Sequence, residues 1–99
     1  MTQPDGTAID ILRDLIRIRS CDKDETRMIA YLERRLSAKG ASCTVMCQDG
    51  RPLNLVAQVG EGTRSLLLNA HMDTVAVGNL TSWDADPFDP VERHGRIYG

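Results

Sequence analysis

Between Thr7 and Arg19 the apolar residues Ala8, Ile9, Leu12, Leu15 and Ile16 recur at helical spacing, with Asp10, Arg13, Asp14 and Arg17 between them. Apolar positions three and four apart share one face of an α-helix, so the spacing predicts a helix over residues 7–19. Ser20-Cys21-Asp22-Lys23 breaks the pattern, as a helix-ending turn or cap does. A second helix is predicted over residues 24–39. Met28, Ile29, Leu32 and Leu36 form its apolar stripe, and Glu33, Arg34 and Arg35 its solvated face. Asp22 or Asp24 can cap it, Glu25 sits favourably near its positive end, and Lys39-Gly40 is a stop signal.

After Gly40 the period changes from helical to two. Cys43, Val45 and Cys47 alternate with Ser42, Thr44, Met46 and Gln48, which predicts a half-buried strand over Ser42–Gln48. Asp49-Gly50-Arg51-Pro52 reads as a turn, and residues 53–59 as a second strand, apolar at Leu53, Leu55, Ala57 and Val59. The short link predicts an antiparallel pair. Gly60-Glu61-Gly62-Thr63 is a further turn. Its glycines do not make a phosphate loop, because neither a helix start nor a Lys-Ser/Thr pair comes after them. A third strand is predicted over residues 65–70. The fold class is therefore α/β, with two helices followed by a mixed sheet, helices and sheet covering each other's apolar faces.

The third predicted strand opens the most informative stretch, Leu66-Leu67-Leu68-Asn69-Ala70-His71-Met72-Asp73-Thr74-Val75. Three successive leucines without alternation are the signature of a strand buried on both faces. Its polar end carries His71 and Asp73, two residues apart and so on one side of extended backbone, with Met72 turned the other way. Open α/β sheets place ligand sites at the carboxyl ends of strands. An imidazole beside a carboxylate suits a metal ligand whose second ring nitrogen is held, and it is also part of a proton-relay triad. A surface His beside a turn Asp has the same spacing.

Composition narrows the classes. Hydrophobic residues make up 41% and charged residues 26%, ordinary for a globular chain, and 99 residues allow one domain or part of one. A net charge of −2 without a basic stripe argues against nucleic acid. No apolar run has the length of a membrane span, and the first residues, Met1-Thr2-Gln3-Pro4-Asp5, do not open a signal-type segment. The chain is expected to be cytoplasmic, with no membrane partner. Cys43 and Cys47 on one strand would be about 13 Å apart, too far for a disulfide. With Cys21 they read as reduced, buried thiols.

Residues 78–90 form a loop with Asp84, Asp86 and Asp89, whose spacing fits no EF-hand. Trp83 and Phe88 are expected to pin this loop to the core. His94-Gly95 is a turn pair with an exposed His.

The whole run from Leu66 to Val77, followed by Trp83, Asp86-Pro87-Phe88 and Gly95-Arg96-Ile97-Tyr98-Gly99, resembles the zinc-dependent deacylase and exopeptidase family that includes acetylornithine deacetylase and succinyl-diaminopimelate desuccinylase. The pattern covers about a third of the chain; residues 1–65 are compatible without being diagnostic. The resemblance implies a partial three-layer zinc-exopeptidase-like domain. It also implies that Tyr-Gly continues into Arg-Gly-x-x-Asp and Lys-Gly, where the Asp bridges two metals. The sequence ends at Gly99, so residues 1–99 are expected to be the amino-terminal part of a metal-binding catalytic domain. The rest of that domain and any lid or dimerisation domain would lie outside it.

By the same resemblance the intact enzyme uses two zinc ions, with cobalt or manganese as alternatives, and a Glu from outside this chain as general base. It would hydrolyse amide bonds of N-acyl amino acids or small peptides, and could act as a homodimer. His71 would be a metal ligand and Asp73 the catalytic partner holding the other imidazole nitrogen. The chain alone is expected to be inactive, since one His is short of the three or four protein ligands of a zinc site. The alternatives are a non-catalytic relic or interaction module that keeps the start of the fold, and a plain α/β domain.

Overall fold

The helices begin where local capping chemistry stops the extended backbone. The computed structural model describes residues 7–21 and 24–99. Helix α1 (Ala8–Arg17) opens on a reciprocal box: the Thr7 hydroxyl accepts from the Asp10 N–H at 3.3 Å, and the Asp10 carboxylate accepts from the Thr7 N–H at 3.1 Å. The helix stops two residues earlier than the periodicity predicts. Ile18 turns extended (φ −87°, ψ 119°) while its N–H still reaches the Leu15 carbonyl at 3.2 Å.

Helix α2 (Thr26–Ala38) is capped from one residue further out than usual. Glu25 occupies the cap position without a side-chain capping bond, and Asp24 instead accepts from the Thr26 N–H at 3.0 Å. The alternative cap, Asp22, lies outside the described residues. At the other end Gly40 adopts φ +90°. The Gly40 N–H meets the Ser37 carbonyl and the Ala41 N–H meets the Leu36 carbonyl, both at 3.0 Å. This is the Schellman closure that a glycine after the helix permits.

Strands β1 (Ser42–Gln48) and β2 (Arg51–Gln58) form an antiparallel hairpin. Asp49 and Gly50 both take positive φ, 52° and 76°, giving the two-residue turn whose twist matches its flanking strands. Arg51 and Pro52, expected in the turn, therefore belong to β2. Met46 pairs with Asn54 and Cys47 with Pro52, so Leu53 is an extra residue in the ladder. That bulge accommodates a proline that has no N–H to give. A second hairpin joins β3 (Val91–Arg93) to β4 (Arg96–Tyr98) through His94-Gly95, again with both φ positive.

Helix α2 lies on the first hairpin and contacts both its strands. The core sits there. Ile29 is 1% exposed and Met28 is also buried, as the apolar stripe of α2 requires. Helix α1 is tied to α2 by the Tyr31 hydroxyl, which donates to Asp14 at 2.7 Å, and to β3 by the Arg13–Glu92 ion pair. Burial first, and then the bond to Asp14, push the Tyr31 phenol up from its ordinary pKa. No helix among the described residues is long and apolar enough to cross a membrane.

Three expectations are corrected. The sheet is not one mixed sheet but two separate antiparallel pairs. Residues 65–70 form no hydrogen-bonded strand, and Leu66, Leu67 and Leu68 are 84–85% exposed. A strand apolar on both faces needs neighbours along its edges and a layer over each face. Each hairpin pairs only within itself, and among the described residues none of the free outer edges pairs with this run. The accessible surface, 8301 Å², is half again the roughly 5,600 Å² a compact chain of this mass exposes. The thiols are free, but Cys47 is exposed and Cys21 and Cys43 only half-buried, rather than all being core.

Two outcomes are expected for stability. Ile29→Ala should cost about 2–5 kcal/mol, whereas Leu67→Ala should stay within about 0.5 kcal/mol, in urea titrations monitored by circular dichroism. The second outcome concerns acid. The Thr7 backbone N–H, then its hydroxyl, hold Asp10 below the ordinary carboxylate range, and the Thr26 hydroxyl and N–H do the same for Asp24. A folded-state pKa lowered this way gives stability present above the unfolded value, about pH 4, and lost as pH falls through the folded one. Asp10→Asn should therefore flatten the acid limb of the helical signal below about pH 4.

Candidate functional site

Residues 71–75 run on from the exposed leucines without regular secondary structure, so their side chains are set by local bonds. His71 and Asp73 do lie together on one side. The His71 Nδ1 is 3.3 Å from the Asp73 Oδ1, and their side chains are 84% and 68% exposed. The nearer acceptor is the Asp73 backbone carbonyl, at 2.8 Å from Nδ1. The expected imidazole–carboxylate bond at about 2.7–3.2 Å is therefore not the one formed: the backbone carbonyl takes Nδ1, and the carboxylate lies just beyond that range. A carbonyl oxygen only accepts, so Nδ1 must carry the proton. That leaves the lone pair on Nε2, the nitrogen able to bind a metal or accept a proton.

A polar cleft of about 450 Å³ lies beside the pair, lined by Glu25, Leu53, Asn54, Asn69, Ala70, His71, Met72 and Asp73. Glu25, read in the sequence as a helix-terminus charge, and Asn54 and Asn69, given no role there, thus share a cavity with the two predicted residues. Their spacing in the chain holds no signal for this, because α2, β2 and the 66–77 segment meet only in space. Among the described residues no group of three or more His, Cys, Asp and Glu gathers closely enough to hold a metal ion. His94 sits exposed at the tip of the second hairpin, as expected.

A second, larger opening of about 1170 Å³ runs beneath the segment between the helices and the first hairpin. Its wall includes Leu12, Leu15, Ile16, Leu32, Leu55 and Leu67. The loop after the segment closes back on it: the Trp83 indole N–H donates to the Val77 carbonyl at 2.9 Å, and the Arg19 guanidinium lies 4.2 Å over the Phe88 ring. Trp83 therefore ties the loop to the segment's end. Asp86 accepts from the Phe88 N–H at 2.9 Å, so this acid holds a turn.

The comparisons with known proteins extend the motif resemblance over most of the chain. The chain is 40% identical over 96 residues to the succinyl-diaminopimelate desuccinylase of Cupriavidus pinatubonensis, covering 90% of this chain and 25% of that protein. It is 35% identical over 94 residues to the protein of the same name from Bordetella pertussis, covering 95% of this chain and 24% of the relative. A probable succinyl-diaminopimelate desuccinylase of Staphylococcus aureus is 29% identical over 91 residues, 92% of this chain. The chain spans about a quarter of the length of the curated relatives it matches. No family model and no solved structure matches it. Residues 1–65, undiagnostic by motif, are thus largely included in the matched region.

The hydrogen-bond geometry predicts a tautomer. In nitrogen-15 imidazole spectra above pH 8, neutral His71 should carry its proton mainly on Nδ1, while exposed His94 should favour Nε2. Asp73→Asn should leave the His71 tautomer in place, because the backbone carbonyl persists; a shift to Nε2–H would show that the carboxylate, not the carbonyl, sets it.

Proposed function

We propose that this chain, a homologue of the succinyl-diaminopimelate desuccinylases over about a quarter of their length, is the amino-terminal part of a metal-dependent deacylase. The observation that carries the reading is the His71 ring. Its Nδ1 is engaged by the Asp73 carbonyl with the carboxylate 3.3 Å away, and this leaves Nε2 as the nitrogen for a ligand. Proton placement of this kind is what a metal-binding imidazole needs.

In this reading residues 1–99 belong to a metal-binding domain of the three-layer zinc-exopeptidase type. The remaining layers would cover the apolar opening and the leucine run. His71 would supply one ligand to zinc, with cobalt or manganese as alternatives, and a second ion would be held by residues of the longer enzyme. The residues present fit one corner of such a site rather than a complete one, which would need three or four protein ligands at each ion. When bound, the metal supplies Lewis-acid polarisation of a scissile carbonyl.

The chain's own residues have simpler tasks. The Asp73 backbone carbonyl orients the imidazole and fixes its tautomer. The Asp73 carboxylate raises the electron density of the ring and balances charge beside it. Asn54, Asn69 and Glu25 line the polar cleft beside the pair, where a substrate amide would have donors and acceptors to meet. The substrate class is an N-acyl amino acid or small peptide, and succinyl-diaminopimelate, from the name of the relatives, is the first to assay. The enzyme would work in the cytoplasm as a homodimer, without membrane or nucleic-acid partners.

The test is a chimera in which these 99 residues replace the matched quarter of the Cupriavidus pinatubonensis protein. The chimera should release succinate from succinyl-diaminopimelate. His71→Ala in it should lower kcat/KM by on the order of 100-fold or more, and Asp73→Asn by roughly 10–100-fold. A folded chimera that binds zinc but is inactive would support the non-catalytic alternative instead. The 99-residue chain alone should bind zinc only weakly in calorimetry.

A further inference from the structure

Among the described residues Ser20 is the one buried polar side chain, at 3% exposure, and it lies just past the end of α1. Its hydroxyl is 3.3 Å from the Thr74 hydroxyl, a contact between residues 54 apart in sequence. Thr74 comes directly after Asp73. The neighbouring Arg19 covers the Phe88 ring at 4.2 Å, beyond the other end of the same segment. The chain leaving α1 thus touches both the segment before Gly78 and the loop beyond it, and residues 71–77 have no ladder hydrogen bonds of their own.

We infer that Ser20 is a positioning residue: its hydroxyl, through Thr74, holds the His71-to-Asp73 segment against the helical layer. A buried hydroxyl without a partner costs free energy, so Ser20 favours the arrangement in which Thr74 stays within reach. Holding Thr74 fixes the peptide after Asp73 and restrains the Asp73 carbonyl, the group that meets His71 Nδ1. A hydroxyl at the end of α1 therefore acts on imidazole orientation without touching the ring. The importance of this clamp for chemistry rests on the metal-site reading above; the clamp itself does not.

The experiment uses the 99-residue chain. Nitrogen-15 relaxation should give ordered amides at residues 71–75 in the parent. In Ser20→Ala their order parameters should fall towards those of a flexible loop, below about 0.6, while α1, α2 and the β1–β2 hairpin keep theirs. Thr74 is exposed, so Thr74→Val removes the same bond from the outside with little risk to folding and should give the same local loss. Ser20→Thr keeps the hydroxyl and should restore order, since Ser20 and Thr74 both border the 1170 Å³ opening, which has room for a methyl group.

Residues 71–75 that are already mobile in the parent, or that stay ordered in both Ser20→Ala and Thr74→Val, overturn the inference. So does a loosening spread evenly over the helices. Cobalt titration of the chimera described above, with and without the same changes, separates the two readings. If relaxation behaves as expected but cobalt does not perturb the His71 signals of the chimera, the clamp stands and the metal-site reading fails. If cobalt binds the chimera at His71, Ser20→Ala should weaken it several-fold and Ser20→Thr should recover it.

Discussion

The packing of helices on sheet in this molecule centres on the contact between α2 and the β1–β2 hairpin. Among the described residues Ile29 is the most completely buried large side chain, with Met28 also buried on α2. Burying an isoleucine of this kind contributes roughly 1.5–3 kcal/mol. That contact orients α2, and α2 in turn carries Tyr31, whose hydroxyl fixes Asp14 and so α1. From α1 the order passes outwards, through Arg13 to β3 and through Arg19 and Ser20 to the segments on either side of Gly78. The side-chain bonds are few and mostly exposed, so each is weak by itself. Their value is geometric, because they connect elements that share little apolar surface.

The opposite constraint is set by the leucine run. Three apolar residues in a row are stable in water only when both faces are covered, and the hairpins satisfy their own backbone groups first. An antiparallel hairpin closes through a two-residue turn and needs no distant partner, so β1–β2 and β3–β4 form from local sequence. A strand without a hairpin partner has no such route. Residues 66–68 therefore remain outside any ladder beside an apolar opening lined by α1, α2 and β2, and the chain keeps far more surface than its mass requires.

At the end of that run the chemistry becomes local again. The His71 and Asp73 pair needs only two residues of spacing to meet, which is why its geometry appears even where no sheet has formed. The backbone carbonyl of Asp73 takes the ring N–H ahead of the carboxylate, so the tautomer is set by a group present at every residue, whereas the charge beside the ring is set by Asp73 itself. The cleft, by contrast, requires Glu25 from the edge of α2 and Asn54 from β2.

What the sequence determined by itself was everything encoded over short distances. Helical spacing and caps marked α1 and α2 to within two residues, alternation and Asp49-Gly50 marked the first hairpin, His94-Gly95 marked the turn of the second but not its strands, and the composite motif around His71 pointed to the desuccinylase relatives. Each of these is settled by neighbours a few residues away, through backbone sterics and local hydrogen bonds. Tertiary structure alone decided which apolar runs found cover. The same apolar pattern buries Ile29, because a hairpin lies within reach of α2, and leaves Leu67 in solvent, because no edge or layer among the described residues meets it. It also decided that Ser20, a helix-ending turn in the sequence, becomes a buried contact to Thr74, since burial depends on what a folded chain brings together from 54 residues away.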